Sequence, residues 1–353
     1  MKKKLPIYLD NASTTPVHDD VLLEMLPYFK EKFGNPSAMN LHSLEPKSAI
    51  NHARTQVSKL LNCNDDQIIF NSGSTESINH VLKSSFFSGF QAGKNQLVVS
   101  AIEHKAVLEV ADYLKTIGCK VTKVGVDSNG VIDLEELSQS LTDKTFLVCV
   151  MLVNNETGVI QPLNEVVYIS KEKGIPVFTD ATPAVGKMEV DVTDLGVDYL
   201  CLSAHKISGP KGVGALYCQN PNLLEPLLHG GSQEKSKRGG TYNVPGIVGL
   251  GKASEIALRE LESRISFYKK KKEKILAEVI GADAVENFQD SPKVENIMSL
   301  TLKNEENEEY LSKQRNRFSA STGSACTAEI IQDSHVLRAI PGVEPKKVIR
   351  ISI

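Results

Sequence analysis

Short apolar runs recur along the chain, separated by longer stretches of helical period. "QIIF", "QLVVS", "KVTKVGV", "TFLVCVMLV", "PVFTD", "DYLCLSA" and "VGALYC" read as strands, and "SAINHARTQVSKLLN", "ESINHVLKSSFFSGF" and "HKAVLEVADYLKTIG" as amphipathic helices. Strands alternating with helices of that length predict βαβ units and a mostly parallel, doubly wound α/β sheet over roughly residues 16 to 255. "GKASEIALRELESRISFYKKKKEKILAEVI" then predicts one long amphipathic helix linking two domains, and the residues from about 280 onward read as a smaller α+β domain. No internal repeat or low-complexity segment is apparent.

Composition narrows the classes. A chain of 353 residues is too long for one small core, which agrees with a large domain and a smaller companion. A formal net charge of -3 gives no electrostatic reason to expect nucleic acid or an anionic membrane as partner. The lysines Lys269 to Lys272 fit a solvated helix face better than a nucleic-acid patch. No apolar run is long enough to span a bilayer. Lys2, Lys3 and Lys4 resemble the start of a signal peptide, but "LPIYLDNASTTP" follows and breaks any apolar core, so a cytoplasmic protein is expected. Of the six cysteines, none forms a C-x-x-C pair, so neither a zinc site nor a disulfide framework is expected. Cys119, Cys149, Cys201 and Cys218 sit in strand-like surroundings and read as inert core thiols.

The candidate chemistry lies behind the strands, where open α/β sheets bind ligands. Asp180 directly follows "IPVFT", and a carboxylate there calls for a cationic partner. Lys206 follows "DYLCLSAH" and precedes a glycine-rich turn; it is either a desolvated Schiff-base lysine or one that snorkels to solvent. In "FNSGSTESIN", Gly73 permits close backbone approach, and Ser74, Thr75 and the helix start form either an anion cradle or an ordinary cap with Ser74 or Thr75 as its first residue. "GPKGVG" lacks the pattern of a phosphate-binding P-loop. His104 follows "QLVVS", and Asn154 and Asn155 follow "TFLVCVM". Together the strand ends carry an anion cradle, an imidazole, an amide, a carboxylate and a lysine, and pyridoxal 5'-phosphate is the cofactor that matches them all.

The ordered segments "YLDNASTTP", "FGNPSA", "NSGSTESIN", "IEHKAV", "NNETG", "TDATPAVGK", "SAHKISGPKGVG", "HGGSQEKSKRGGTYN" and "STGSACTAE" resemble the cysteine desulfurases, class-V aminotransferase-like pyridoxal phosphate enzymes of fold type I. The resemblance implies a homodimer, a large cofactor domain over residues 16–255, a small C-terminal domain over 256–353 and an N-terminal segment, 1–15, packed on the small domain. It implies that Lys206 binds the cofactor and moves the substrate's α-proton, and that His104 stacks on the ring. Asp180 would pair with the ring nitrogen. Ser74, Thr75, Ser203 and His205 would hold the phosphate, with Thr241 reaching it from the partner subunit. Asn155 and Arg350 would hold the carboxylate of L-cysteine. Cys326, on a mobile loop of about residues 317–331 rich in small residues, would take the sulfur as a persulfide and pass it to a sulfur-acceptor protein, for iron–sulfur clusters, tRNA thiolation or another route.

The chain departs from the family pattern in three places. Pro183 stands where glutamine is usual, which removes an amide donor to the cofactor's ring hydroxyl. Ser232, Lys235 and Gly239 replace glycine, arginine and serine near the expected dimer contact. Only three residues follow Arg350, so the terminal docking surface of relatives is expected to be missing or supplied by another protein. An impaired, desulfurase-like binding subunit, a selenocysteine lyase and another class-V enzyme such as an aminotransferase are the alternative readings.

Overall fold

The computed structural model describes residues 5–323 and 333–353. The chain begins with a short strand, β1 (Ile7–Tyr8), and helices α1 (Asp19–Met25), α2 (Pro27–Lys30) and α3 (Leu41–Leu61). Strands and helices then alternate: β2 (Ile68–Asn71), α4 (Ser74–Gln91), β3 (Gln96–Ser100), α5 (Lys105–Lys115), β4 (Lys120–Val124), α6 (Leu134–Ser140), β5 (Thr145–Cys149), α7 (Leu163–Lys171), β6 (Val177–Asp180), α8 (Val192–Leu195), β7 (Tyr199–Ser203) and β8 (Gly214–Cys218). The remainder carries α9 (Val244–Arg259), α10 (Leu261–Ile275), β9 (Ala284–Glu286), β10 (Ile297–Leu302), α11 (Asn307–Gln314), β11 (Phe318–Ser319), α12 (His335–Ala339) and β12 (Val348–Ser352).

The seven strands read from the apolar runs form one sheet in the order β2-β8-β7-β6-β5-β3-β4. Only β8 runs against its neighbours. Every position of β2, β3, β5, β6, β7 and β8 is buried, because helices cover both faces and leave no side for polar residues. At the edge, β4 keeps Lys120 and Lys123 exposed, which blocks further pairing. A second antiparallel sheet, β12-β10-β9, packs Met298, Leu300, Ile349 and Ile351 against Tyr268 of α10 and Leu9 of the N-terminal segment. β1 pairs in parallel with β11.

Two expectations are corrected. The stretch read as one linking helix is two: Glu260, at φ −102° and ψ 3°, separates α9 from α10, and a π turn follows over Leu276–Ile280. The break falls where burial changes, since α9 is mostly core whereas α10 buries only Tyr268 and Ile275. The run Lys269 to Lys272 is not wholly a solvated face either. Lys272 turns inward to Glu286 at 2.7 Å and Glu295 at 3.6 Å.

Cys119, Cys149, Cys201 and Cys218 are buried. Burial pushes the Cys119 thiol up to about 11 and that of Cys218 up to about 12, and holds those of Cys149 and Cys201 well above the usual range. Among the described residues no helix is long and apolar enough to cross a membrane.

The segment between β8 and α9 is anchored by a buried ion pair. Arg54 of α3 grips Glu234 with two bonds of 2.9 and 2.6 Å, and Glu234 also accepts the Phe70 N–H at 2.8 Å. Glu234 and its neighbours Lys235 and Ser236 have positive φ, so this contact holds a backbone that would otherwise relax. Replacing Glu234 with alanine strands a buried amide and leaves a half-buried guanidinium with only the Ile68 carbonyl, and a loss of about 3 kcal/mol in chemical unfolding is expected, the lower end of the range for a buried pair. A loss below about 1 kcal/mol, the scale of a surface pair, would show that the anchor is not structural.

Candidate active site

The C-terminal ends of β2, β3, β5, β6 and β7 open onto one cavity of about 240 Å³. Among its lining residues are Ser74, Thr75, His104, Asn155, Asp180, Ser203, His205, Lys206 and Arg350, all named from sequence. Thr241 does not line it and lies exposed just before α9. Cys326 lies outside the described residues.

At the β2–α4 turn, Gly73 has φ 137°, a region open to glycine. Across from it, a Cβ on Gly214 would sit 2.6 Å from the Gly73 Cα, so β8 can pass this turn only without a side chain. The capping alternative is corrected: the residue before the helix is Gly73, with no side-chain cap, and Ser74 is the first residue of α4. The Ser74 amide donates to Ser203 Oγ at 2.8 Å, and the Ser74 hydroxyl lies 2.6 Å from that of Thr182. This hydroxyl cluster at the N-terminus of an 18-residue helix is suited to an anion. His205 borders the same opening, with Nδ1 3.2 Å from Thr14 Oγ1.

Asp180 ends β6 and is buried, with Oδ1 accepting from the Thr182 amide at 2.9 Å and from the Cys201 thiol at 3.4 Å. No lysine or arginine among the described residues pairs with it, although it lines the cavity. A buried carboxylate without a protein cation fits a ligand that brings one, which is what a protonated pyridine ring does. His104 caps α5, its Nδ1 accepting the Ala106 amide at 3.1 Å, which places the ring proton of the neutral imidazole on Nε2. Lys206 Nζ donates to the carbonyls of Ala12 and Ser13, the latter at 2.8 Å.

Asn154 and Asn155 part company. Asn154 is a satisfied turn residue, with Nδ2 on the Ile102 carbonyl and Oδ1 accepting the amides of Glu156 and Thr157. Asn155 lines the cavity, and its backbone carbonyl accepts from Arg350 Nη1 at 3.0 Å. Arg350 also donates to Asp10 and Ser13.

Several residues of the site escaped the sequence reading. Asp10 and Ser13 lay in the quoted "YLDNASTTP" without a role, and Lys187, which lines the cavity and donates to Tyr268 at 3.0 Å, closed "TDATPAVGK". Glu103 gave no signal beyond standing next to His104. It is fully buried, accepts the Met151 amide at 2.7 Å through one oxygen, and leaves the other without a partner among the described residues. Burial, and then the charge of Asp180, push its carboxyl well above the usual range.

His205 carries a pH signature. Burial, then the charges of Lys206 and Lys211, lower its imidazole from 6.5 to about 4. The unfolded chain therefore takes up this proton first as pH falls, and the cofactor-free protein loses stability between about pH 6.5 and 4. His205→Gln is expected to flatten that limb in urea unfolding followed across pH. An unchanged slope would mean that another group carries the loss.

The profile of the family described as Aminotransferase class-V matches residues 7–353. A protein named cysteine desulfurase IscS from Dictyoglomus turgidum is 41% identical over 340 residues, covering 96% of this chain and 86% of that protein. Its namesake from Methanosarcina thermophila is 40% identical over 94% of this chain and 83% of its own length. Among solved structures, one described as a NifS-like protein superposes with a TM-score of 0.90 at 38% identity, covering 99% of this chain and 94% of that one. Another, described as SspA in complex with cysteine, superposes with a TM-score of 0.89 at 35% identity over 98% of each chain. Likeness of that depth over nearly the whole length means that the chain belongs to the class-V aminotransferases, in their pyridoxal phosphate-dependent cysteine desulfurase branch.

Proposed function

We propose that this protein converts L-cysteine to L-alanine and passes the sulfur to Cys326 as a persulfide. The observation that carries the reading is the buried Asp180, without a protein cation among the described residues, facing the same cavity as Lys206 and Arg350. Pyridoxal phosphate, when bound, supplies an aldehyde that captures an amine and a ring that draws electrons from the captured carbon. Asp180 would keep the ring nitrogen protonated, and His104 would lie against the ring. Ser74, Thr75, Ser203 and His205 would hold the phosphate at the N-terminus of α4.

Lys206 would hold the cofactor in place and, once displaced by the substrate, move the proton at the substrate's α-carbon. Arg350 and Asn155 would bind the carboxylate, which fixes the sulfur's direction. The Cys326 thiolate then forms an S–S bond with the substrate sulfur. The Cβ–S bond breaks, its electron pair stays on Cβ, and Cβ takes a proton to give alanine. The described residues that flank in sequence the segment carrying Cys326 are held at the loop that bears Asn155. Ser334 donates to Glu156 at 2.6 Å, and Gly323 sits against the same carboxylate.

The working unit is read as a homodimer in which Thr241 reaches the second subunit's phosphate. Support comes from the stretch running from α1 to the start of α3, which exposes Leu22, Leu23, Leu26, Phe29, Phe33 and Leu41, apolar side chains of the kind a second copy covers. A cytoplasmic location and delivery of the persulfide to an acceptor protein complete the reading. Iron–sulfur cluster assembly and tRNA thiolation are the two destinations proposed for the sulfur.

Cys326→Ala is expected to abolish alanine and sulfide release while leaving the cofactor absorbance intact. Full turnover by that variant would sink the assignment. Pro183 lines the cavity where an amide donor is usual. Pro183→Gln restores a bond worth on the order of 1 kcal/mol, so it should move the pH titration of the cofactor absorbance and raise turnover; titrations that superpose would refute this.

A further inference from the structure

Arg350, to which the proposed function gives the substrate's carboxylate, is already engaged. Nη2 donates to Asp10 Oδ1 at 2.6 Å and to Ser13 Oγ at 2.9 Å, and Nη1 donates to the Asn155 carbonyl at 3.0 Å. Nε is enclosed and has no partner among the described residues. A guanidinium grips a carboxylate with two parallel bonds along one of two edges, Nε with Nη2 or Nη1 with Nη2. Both edges include Nη2, and both of its N–H groups are taken. A bidentate grip on an incoming carboxylate therefore requires Asp10 or Ser13 to let go.

The two are not equivalent. Ser13 can turn its hydroxyl proton toward an arriving carboxylate oxygen and remain as a donor. Asp10 has only acceptor oxygens, and two carboxylates on one nitrogen repel each other. Asp10 also has somewhere to go: its side chain is 17% exposed, against 2% for Arg350. Its backbone stays pinned, because Asp10 bridges to Ser352 and the Asn11 and Ala12 amides both donate to that residue. Only the side chain needs to swing.

We propose that Asp10 is a built-in carboxylate that pairs with Arg350 and is exchanged for the α-carboxylate of the amino acid. Asp10 thereby keeps a buried guanidinium paired at rest and sets how tightly an α-carboxylate binds. The proposal rests on the reading that Arg350 receives the substrate carboxylate.

The cofactor-loaded enzyme is titrated with L-alanine, which bears the α-carboxylate, and with L-alaninamide, which does not, by following the cofactor absorbance. Asp10→Asn removes the competing charge, and tighter L-alanine binding by on the order of twofold to fivefold is expected, the scale of a modest ion pair. KM for L-cysteine should fall with it, and L-alaninamide binding should not change. Equal or weaker L-alanine binding would overturn the proposal, weaker binding meaning that Asp10 serves to orient Arg350. Asp10→Ser carries the same expectation should the asparagine variant not fold. Arg350→Gln separates the layers. If it weakens L-alanine but not L-alaninamide, the carboxylate reading stands and the Asp10 variants alone decide; if it weakens neither, that reading and the proposal fall together.

Discussion

The cavity depends on how Lys206 and Arg350 are satisfied, because a buried charge without partners would cost more than most single contacts return. One short segment serves both. The carbonyls of Ala12 and Ser13 receive Lys206, while Asp10 and the Ser13 hydroxyl receive Arg350. That segment is fastened at each end to a different sheet. Leu9, Asn11 and Ala12 bond to Ser352 of β12, and Thr15 bonds through its amide and hydroxyl to the His205 carbonyl, both at 2.9 Å. The lysine of the large sheet and the arginine of the small one are thus placed relative to each other by the same six residues, and a shift at either sheet is felt at both cations.

The carboxyls of the site obey the opposite constraint. Asp180 and Glu103 are both buried, and the charge of Asp180 is one of the causes that raise Glu103. Two neighbouring carboxylates in one desolvated region cannot both ionise cheaply, so environment assigns the roles. Asp180 accepts an amide and a thiol and faces the cavity, where a ligand cation can reach it. Glu103 accepts a single amide. The neutral acid therefore belongs on Glu103.

Much of this was legible in the sequence for one reason. Six of the seven strands of the large sheet are buried along their whole length, so their apolar runs stand out, and whatever polar residue follows a run marks a strand end. Asp180, His104 and Lys206 were found that way. The same logic fails where contacts are long in sequence and short in structure. The bond from Arg350 to Asp10 joins residues 340 positions apart, and β1 is only two residues long, so no period announces the N-terminal segment. It also fails at Glu260, where hydrophobic spacing continues from a buried helix into an exposed one. A capping residue was expected at Ser74 because serine favours that position. Glycine won because the turn into α4 takes a φ of 137°, a region open to glycine and closed to serine.

How the small unit addresses the large one follows from what holds its last helix. His335, at the start of α12, lies with Nε2 2.8 Å from the Glu103 carbonyl, and Ser334 donates to Glu156 at 2.6 Å. Glu103 and Glu156 stand next to His104 and Asn155, the cavity residues behind β3 and β5. On the other side, Ser321 exchanges backbone bonds of 2.7 and 3.2 Å with Arg350. The chain on both sides of the segment that carries Cys326 is therefore moored to loops and strands that also supply the cavity.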